Sequence, residues 1–325
     1  MSAPIRVGTR RSLLATTQAG HVAEMIRTRL GRETELVEIT TAGDRSQAAG
    51  TPLADTPASG TGVFVGALRD ALLDGRVDVA VHSLKDLPTQ PADGITLAAV
   101  PPREDPRDVV VARDGLTLGE LPVGSTIGTG SPRRAAQLHA LGLGLEVVGV
   151  RGNVDTRVAK VHSGELDAVV LAWAGLSRIG RLDEQTEVLD PIQMLPAPGQ
   201  GALAVECRSD DPLAADLALL DDAPSRAAVE AERAVLSTLE GGCSAPIGAL
   251  ALVVEGEDAE ELWVRAVALS LDGALSVRMT ASGDPADAAG VGTRLASEML
   301  ADGAGQLNPS AADPATPEKS PEVQP

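Results

Sequence analysis

The sequence predicts an α/β fold, with two α/β domains that face each other across a cleft and a small α+β domain near the C-terminal end. Over the first two hundred residues, short apolar segments typical of β-strands alternate with helical patterns, an order that indicates sheets covered by helices. After Pro224, one helix is followed by three consecutive strands and a last helix, which indicates an antiparallel sheet. The length of 325 residues is enough for two or three domains.

The first domain is predicted over residues 1–100 together with 201–220. Ser12 is a suitable N-cap for its first helix. The regular alternation of strand and helix predicts a parallel sheet. The apolar segment 201–208 is one more strand, which the sequence alone allows in either sheet. The other strands of this domain are predicted at 5–10, 35–40 and 77–83.

The second domain is predicted over residues 101–200 and the third over 221–302. Strands of the second domain are DVVVA, STIGTG, LEVVGV and LDAVVLA, with helical segments between them. The third domain begins with a helix that ends at a pair of glycines, as helices often do, and continues with three strands and a helix. Residues 303–325 are rich in Pro, Ala, Ser and Asp and are predicted to be a disordered tail, because they cannot bury a core.

The composition argues against several classes of function. The formal net charge is -19, and such an acidic surface repels phosphate backbones and anionic lipids, so we expect no nucleic-acid and no membrane partner. Proteins that bind single-stranded nucleic acid stack the bases on several aromatic side chains, and this chain has only three aromatic residues. No Cys and His residues have metal-ligand spacing, so we expect no metal. No apolar signal segment precedes the first strand, and we therefore expect a cytoplasmic protein.

Basic residues nevertheless follow four of the predicted strands. Ligands of open α/β sheets bind beyond the carboxyl ends of the strands. Of the 27 basic residues, 24 are arginines, which grip carboxylates through two parallel hydrogen bonds. The pattern predicts a cleft for a small molecule with several carboxylates or phosphates. The residues that follow the strands are Arg10 and Arg11, Lys85, Arg133 and Arg134, and Arg151.

The stretch GTGSPRRAAQ is the clearest case. Ser131 and Pro132 predict the start of a helix, and Arg133 and Arg134 lie in its first turn. Positive charges are unfavourable there unless an anion binds, so the stretch is either a poorly optimised helix start or an anion site. In both cases we expect these arginines to add little stability without a ligand. RGNVDTR, at 151–157, repeats the arrangement.

Two further stretches could carry chemistry. In VHSLKDLP, Asp86 follows an apolar strand and is either part of a solvated turn or a carboxylate at a cleft mouth that handles a proton or stabilises a developing cation. In GGCSAPIG, Cys243 lies between glycines and a proline. It is a small buried residue at a turn, a nucleophile, or an anchor for a covalently bound group. A nucleophilic thiolate would need a cationic partner such as histidine, and no histidine lies within 80 residues of Cys243.

The chain resembles the porphobilinogen deaminase family, also called hydroxymethylbilane synthases, from about Ile5 to Leu300. Seven motifs carry the resemblance, in the order GTRRSLLATTQA, VDVAVHSLKDLPT, GTGSPRRAAQL, VRGNVDTRVAKV, LAWAGLSRIG, LPAPGQGALAVECR and LEGGCSAPIG. The resemblance implies two periplasmic-binding-protein-like α/β domains around a cleft, and a small third domain that carries a cofactor loop.

The resemblance also implies a transferase of haem and porphyrin biosynthesis. Such an enzyme condenses four porphobilinogen molecules head to tail with loss of ammonia, on a dipyrromethane cofactor joined by a thioether to Cys243, and water releases 1-hydroxymethylbilane. Asp86 is the implied catalytic residue, porphobilinogen and the growing pyrrole chain are the implied partners, and we expect a monomer. The residues implied to bind cofactor and substrate are Arg10, Ser12, Ser83, Lys85, Thr129, Ser131, Arg133, Arg134, Arg151, Arg157 and Arg178, with Gln18, Phe64 and Gln200 as weaker candidates.

The sequence departs from the family pattern at three positions. The family commonly has lysines before the Phe64 segment, where this chain has Asp55 and Thr61, and a serine where this chain has Gly130. Two alternatives are an anion-binding protein of the same two-lobed architecture and a hydrolase with a cysteine nucleophile. The missing export signal and the Cys243 loop disfavour the first, and the absence of a histidine near Cys243 disfavours the second.

Overall fold

The computed structural model describes residues 3–39, 62–239 and 246–307, and of residues 62–64 only the backbone. The strands in this part of the chain are β1 (Ile5–Thr9), β2 (Thr34–Glu38), β3 (Val79–Ser83), β4 (Ile95–Ala99), β5 (Asp108–Ala112), β6 (Thr126–Thr129), β7 (Glu146–Gly149), β8 (Ala168–Ala172), β9 (Glu187–Val188), β10 (Leu203–Arg208), β11 (Ile247–Glu255), β12 (Glu260–Leu269) and β13 (Ser276–Gly283). The α-helices are α1 (Leu13–Leu30), α2 (Gly62–Leu73), α3 (Pro132–Ala140), α4 (Val154–His162), α5 (Trp173–Arg178), α6 (Leu213–Leu217), α7 (Ala223–Thr238) and α8 (Ala288–Ala301).

Two sheets have the same architecture. The first has the strand order β2-β1-β3-β10-β4 and the second the order β7-β6-β8-β5-β9. In both, the first three strands are parallel, and the fourth strand, β10 or β5, runs antiparallel to its neighbours. The predicted parallel arrangement of the first sheet therefore holds for every strand except β10, which runs against the others. The chain enters β5 and β10 from segments that cross between the two sheets, and these crossings reverse the strand direction.

The crossing segments are residues 100–107, from the first sheet to the second, and 189–202, back to the first. They place β10 beside β3, where Val205 is opposite Val81. The predicted strand at 201–208 thus belongs to the first sheet. Apolar side chains of Val, Leu, Ile and Ala fill the cores on both faces of each sheet, as expected for a chain with three aromatic residues.

The third sheet is the antiparallel meander β11-β12-β13, as predicted. Helices α7 and α8 cover one face of it, and their small side chains pack closely, with Gly292 against the backbone of Ala231. Strand β11 begins beside the second crossing segment, where the Ala249 amide donates to the Pro196 carbonyl over 3.0 Å. The fold class of two α/β domains and a small α+β domain is confirmed.

The predicted disordered tail starts too early. Residues 304–306 form a 3₁₀ turn after α8, and Ala304 is buried against the core of the third domain, because the apolar pattern of α8 continues to Leu307. The rest of the predicted tail, and the predicted anchor Cys243 with Asp55 and Thr61, lie outside the described residues. Within the described ranges, no helix combines the length and apolar character needed to cross a membrane.

Candidate active site

A cleft of about 1400 Å³ lies between the first two sheets. Its walls are the turns that follow β1 and β3 on one side and β6, β7 and β8 on the other. The carboxyl ends of parallel strands meet at one edge of a sheet, which explains why motifs far apart in sequence converge here. The predicted site residues that line the cleft are Arg10, Ser12, Gln18, Ser83, Lys85, Asp86, Thr129, Ser131, Arg134, Arg151, Arg157 and Arg178.

Asp86 ends the 3₁₀ turn that follows β3. The buried Leu84 holds this turn in place, since its amide donates to the Ala202 carbonyl over 3.0 Å. The Asp86 side chain is half-buried in the cleft wall. Burial raises the pKa of Asp86, while the charges of Lys85 and Arg10 act in the opposite direction. The carboxylate thus sits in a partly dry site among cations, where its charge acts strongly on a ligand.

Lys85 lies on the same turn, and its Nζ donates to Oε1 of Gln200 over 3.3 Å. Burial and the nearby charge of Arg134 lower the pKa of Lys85 to about 8, against the influence of Asp86 and Asp108. The lowered pKa means that Asp86 and Asp108 do not fully compensate the positive charge of the Lys85 ammonium. An anionic ligand in the cleft would supply the missing negative charge.

Three helices begin at the cleft with side-chain caps. Ser12 Oγ accepts from the Ala15 amide over 3.3 Å at the start of α1, which confirms the predicted cap. Ser131 caps α3, with Pro132 in its first turn, and Asn153 caps α4. The positive ends of three helix dipoles therefore point toward one space and favour an anion there.

Of Arg133 and Arg134, which are both predicted to bind the ligand, only Arg134 lines the cleft. Both are buried and share the carboxylate of Asp108, which lies 2.7 Å from Nη2 of each guanidinium. Arg133 also donates to the Leu195 carbonyl, and it does not line the cleft, whereas Arg134 does. Burial by itself would raise the pKa of Asp108, but the two guanidiniums hold it well below its usual range. The anion at this helix start is a residue of the protein.

Sequence reasoning missed Asp108 for a topological reason. If β5 ran parallel to β8, its first residue, Asp108, would lie at the sheet edge that faces away from the cleft. Because β5 is antiparallel to β8, Asp108 lies opposite Ala172, at the cleft edge. The signal was an aspartate at the start of an otherwise apolar, fully buried strand.

Arg157, Arg178 and Arg151 form the remaining cationic wall. Arg157 Nε donates to the Gly152 carbonyl over 2.9 Å, and Arg178 Nη2 donates to the Gly201 carbonyl over 2.5 Å. Burial lowers the pKa of Arg157, and it lowers that of Arg178 to about 10. A guanidinium has five N–H donors, so each keeps donors for a ligand beyond these bonds. Arg151 is exposed at the cleft mouth.

The weaker candidates have different environments. Gln18 Nε2 donates to Ser83 Oγ over 2.9 Å, so both side chains are oriented at the cleft floor. Gln200 is buried behind the cleft wall and does not line it, which disagrees with a direct contact to ligand. Phe64 lies in α2, and its side chain is not among those described.

A buried carboxylate of the third domain forms hydrogen bonds to both crossing segments and to β11. Glu232, in α7, accepts two hydrogen bonds from Arg103, of 2.7 and 2.9 Å, in the first crossing segment. It also accepts from the amides of Gly199, in the second crossing segment, and Ala251, in β11. Sequence reasoning missed Glu232, although a glutamate on the apolar face of a helix is a recognisable signal.

A further buried carboxylate, that of Glu206, lies behind β3. Glu206, in β10, accepts hydrogen bonds of 2.6 and 3.0 Å from Arg69 in α2, and its Oε2 lies 3.2 Å from Nε2 of His82. Although burial opposes it, these partners lower the pKa of Glu206 to about 2. This cluster attaches α2 to the strand that leads to Asp86.

Comparison with known proteins decides the family. A family model described as "Porphobilinogen deaminase, dipyromethane cofactor binding domain" matches residues 5–216. The chain belongs to the porphobilinogen deaminase family. A second model, for the C-terminal domain of porphobilinogen deaminase, matches residues 226–301.

Relatives in this family cover nearly the whole chain. The porphobilinogen deaminase of Mycobacterium tuberculosis (strain ATCC 25618 / H37Rv) is 58% identical over 309 residues, which are 93% of this chain and 98% of the relative. That of Mycobacterium marinum is 57% identical over 93% of this chain and 96% of the relative. Among solved structures, a periplasmic substrate-binding protein of an ABC transporter from Coxiella burnetii matches with a TM-score of 0.42 and 15% identity, covering 66% of this chain and 91% of that chain.

Proposed function

We propose that the cleft condenses four porphobilinogen molecules head to tail on a covalently held dipyrromethane, with Asp86 as the catalytic residue, and that hydrolysis releases 1-hydroxymethylbilane. Membership of the porphobilinogen deaminase family supports the reaction. The observation that carries the residue roles is the half-buried Asp86 carboxylate beside Lys85 and Arg10, in a large cleft lined by several further arginines.

The cleft fits a dipyrromethane and its extension. Each pyrrole ring carries an acetate and a propionate, so two rings bring four carboxylates. The cations that would bind them are Lys85, Arg10, Arg134, Arg157 and Arg178, with Arg151 at the mouth. A volume of about 1400 Å³ exceeds the roughly 300–1,000 Å³ usual for one small ligand, as a chain of several rings requires.

The anchor in this proposal is a thioether to Cys243. Cys243 is outside the described part of the chain, which stops at residue 239 before it and resumes at residue 246 after it. Helix α7 ends at Thr238, and β11 starts at Ile247, next to the second crossing segment. That segment leads into Gly201 and Ala202, which line the cleft. The bound dipyrromethane supplies the pyrrole α-carbon to which the first substrate is joined.

Asp86 acts on the substrate at each condensation. The bond between the aminomethyl carbon and nitrogen breaks, ammonia leaves with the bonding pair, and positive charge develops on the substrate pyrrole. The Asp86 carboxylate stabilises this charge and accepts a hydrogen bond from the pyrrole N–H. The electron-poor methylene carbon would then bond to the free α-carbon of the bound pyrrole chain, and the proton lost from that α-carbon would be taken up by the released ammonia. Partial burial makes the interaction stronger than it would be in water.

The basic residues bind and orient the acid groups. Arg134, Arg157 and Arg178 offer planar pairs of donors to carboxylates, and Lys85 adds a positive charge beside Asp86. Thr129 and Ser131, with Ser12 and Ser83 on the facing wall, add hydroxyl groups. Arg133 acts indirectly, because it holds Asp108 and thereby Arg134.

The proposal includes the setting in which the enzyme acts. The net charge of -19 supports a monomer without nucleic-acid or membrane partners, and we propose that it acts in the cytoplasm. We place the domain limits at 1–100 with 201–220, at 101–200 and at 221–302. The strand membership of the three sheets supports these limits.

The mass of the intact protein tests the anchor and the activity together. Freshly purified protein that consumes porphobilinogen should exceed the sequence mass by one dipyrromethane, and Cys243→Ala should lack both the added mass and the activity. Cys207→Ser is the matched control and should keep both, since Cys207 is buried in β10, where burial raises the pKa of its thiol to about 11. An active protein with the bare-chain mass would overturn the proposal.

A further inference from the structure

We propose that Gln200 is a positioning residue that holds the Lys85 ammonium against the Asp108 carboxylate network and so fixes the distance between the two cationic walls of the cleft. The inference rests on the proposed function in one respect, namely that Lys85 binds acid groups of the ligand. It assigns Gln200 no contact with the ligand, since this side chain is 1% exposed and does not line the cleft.

The hydrogen bonds of Gln200 allow only one orientation of its amide. Nε2 donates to Oδ1 of Asp108 over 2.8 Å and to the Pro106 carbonyl over 2.7 Å, so both of its hydrogens are used. The oxygen Oε1 accepts from Lys85 Nζ over 3.3 Å. The flipped amide would place its NH₂ against the ammonium and its oxygen against a carboxylate, and both contacts would be repulsive.

The backbone of Gln200 is held as firmly as its side chain. Its carbonyl accepts from Arg103 Nε over 2.8 Å, and its amide donates to the Ala197 carbonyl over 2.9 Å. The next residue, Gly201, has a φ of +87°, and a side chain there would meet the Glu104 carbonyl at 2.4 Å. Gln200 therefore cannot follow a displaced Lys85 and acts as a fixed acceptor.

A fixed acceptor matters because Lys85 and Arg134 repel each other. Lys85 lies in the turn after β3, in the first domain, and Arg134 lies in α3, in the second domain. The positive charge of Arg134 disfavours the charged form of Lys85. Oδ1 of Asp108 accepts hydrogen bonds from both Arg134 and Gln200. Gln200 thus connects the two cations through one neutral amide and one carboxylate, and keeps Lys85 charged and directed into the cleft.

The pKa of Lys85 is the first test, and the lysine count makes it measurable. The chain has only Lys85, Lys160 and Lys319, so ¹⁵N-lysine labelling gives three side-chain amine signals, and Lys85→Met identifies one of them. We expect the Lys85 signal of Cys243→Ala protein to titrate at about 8. Adding Gln200→Met should move this titration to lower pH, because the ammonium loses its acceptor. An unchanged titration would overturn the proposal.

A double-mutant cycle is the second test. In protein loaded with cofactor, as verified by mass, Gln200→Met should lower kcat/KM for porphobilinogen about tenfold, the typical loss for one hydrogen bond to a charged group. In a Lys85→Met background the same change should have little further effect. Equal factors in both backgrounds would show that Gln200 supports the fold without acting through Lys85, and would refute the inference.

Two controls separate this inference from the proposed function. If Lys85→Met alone leaves kcat/KM at the wild-type value, the proposed role of Lys85 is wrong, and the amine titration still decides whether Gln200 holds it. If Gln200→Met does not fold, Gln200→Asn replaces it. Its shorter amide can stay beside Asp108 and Pro106 but draws the oxygen away from Lys85, so the same shift in titration is expected.

Discussion

Nη2 of Arg133 and Oδ2 of Asp108 lie 2.7 Å apart, and the two side chains are 4% and 0% exposed. This buried ion pair lies at the start of α3. Arg134, in the same helix, binds the other oxygen of the carboxylate, Oδ1. Removal of either partner leaves a buried charge without full compensation, which is far more costly than the loss of a surface charge.

We predict that Arg133→Leu destabilises the protein by about 3 kcal/mol, the lower end of the range for a broken buried pair, because Arg134 and Gln200 remain on Asp108. Urea unfolding measures the change. Arg151→Leu is the matched control, since Arg151 is exposed, and it should lower porphobilinogen turnover at nearly unchanged stability. Equal stability of Arg133→Leu and wild type would contradict the role of the pair.

For Asp86, we predict that Asp86→Asn lowers turnover by about a hundred- to a thousand-fold, the usual cost of one lost electrostatic stabiliser. Asp86→Glu keeps the charge and should retain more activity than Asn while remaining impaired. Both variants must be compared as cofactor-loaded protein. Wild-type turnover by loaded Asp86→Asn would reduce Asp86 to a turn residue.

The acid limb of the pH–rate profile gives an independent check on Asp86. Burial raises the pKa of this carboxyl, and the ionised form is the active one, so activity should fall with decreasing pH at a value above the ordinary Asp range. The limb should shift further upward in Lys85→Met, because the Lys85 charge lowers the pKa of Asp86. A profile unaffected by either residue would contradict the assignment.

Lys85 should cost stability when the cleft has no ligand. Its pKa falls from 10.5 to about 8 in the fold, so the charged side chain destabilises the folded state below pH 8, and this penalty disappears as the pH rises from 8 to 10.5. We predict that Cys243→Ala/Lys85→Met is about 2 kcal/mol more stable at pH 7 than Cys243→Ala, after allowance for the lost hydrogen bond to Gln200. Thermal unfolding at pH 7 and pH 10 provides the comparison, and a smaller difference is expected at pH 10.

Glu206 should contribute to acid resistance. Its pKa falls from 4.5 to about 2, so it stabilises the fold by about 3 kcal/mol above pH 4.5, and this contribution is lost as the pH falls toward 2. Glu206→Gln should lower stability at pH 7 and flatten its decline between pH 4.5 and 2. The exposed Glu35→Gln serves as the control. A decline as steep as that of wild type would contradict the prediction.

The sequence was sufficient for the elements whose signals are local. Ser12 and Ser131 are caps as predicted, and the strand ends that carry Arg10, Lys85 and Arg151 meet in one cleft, because strand polarity places them at the cleft edge of each sheet. The partners of buried charges were not predictable in this way. The pairing of Arg133 with Asp108 depends on the direction of β5, which a crossing segment reverses, and no spacing in the sequence records that reversal.

The position of Glu232 has a mechanical consequence. One carboxylate on α7 binds both segments that cross between the lobes, through Arg103 and the Gly199 amide, so any rotation of one lobe against the other has its axis near this residue. The chain leaves α7 about two helical turns later, on its way to Cys243. The end of α7 would therefore move little during such a rotation, because displacement is smallest close to the axis.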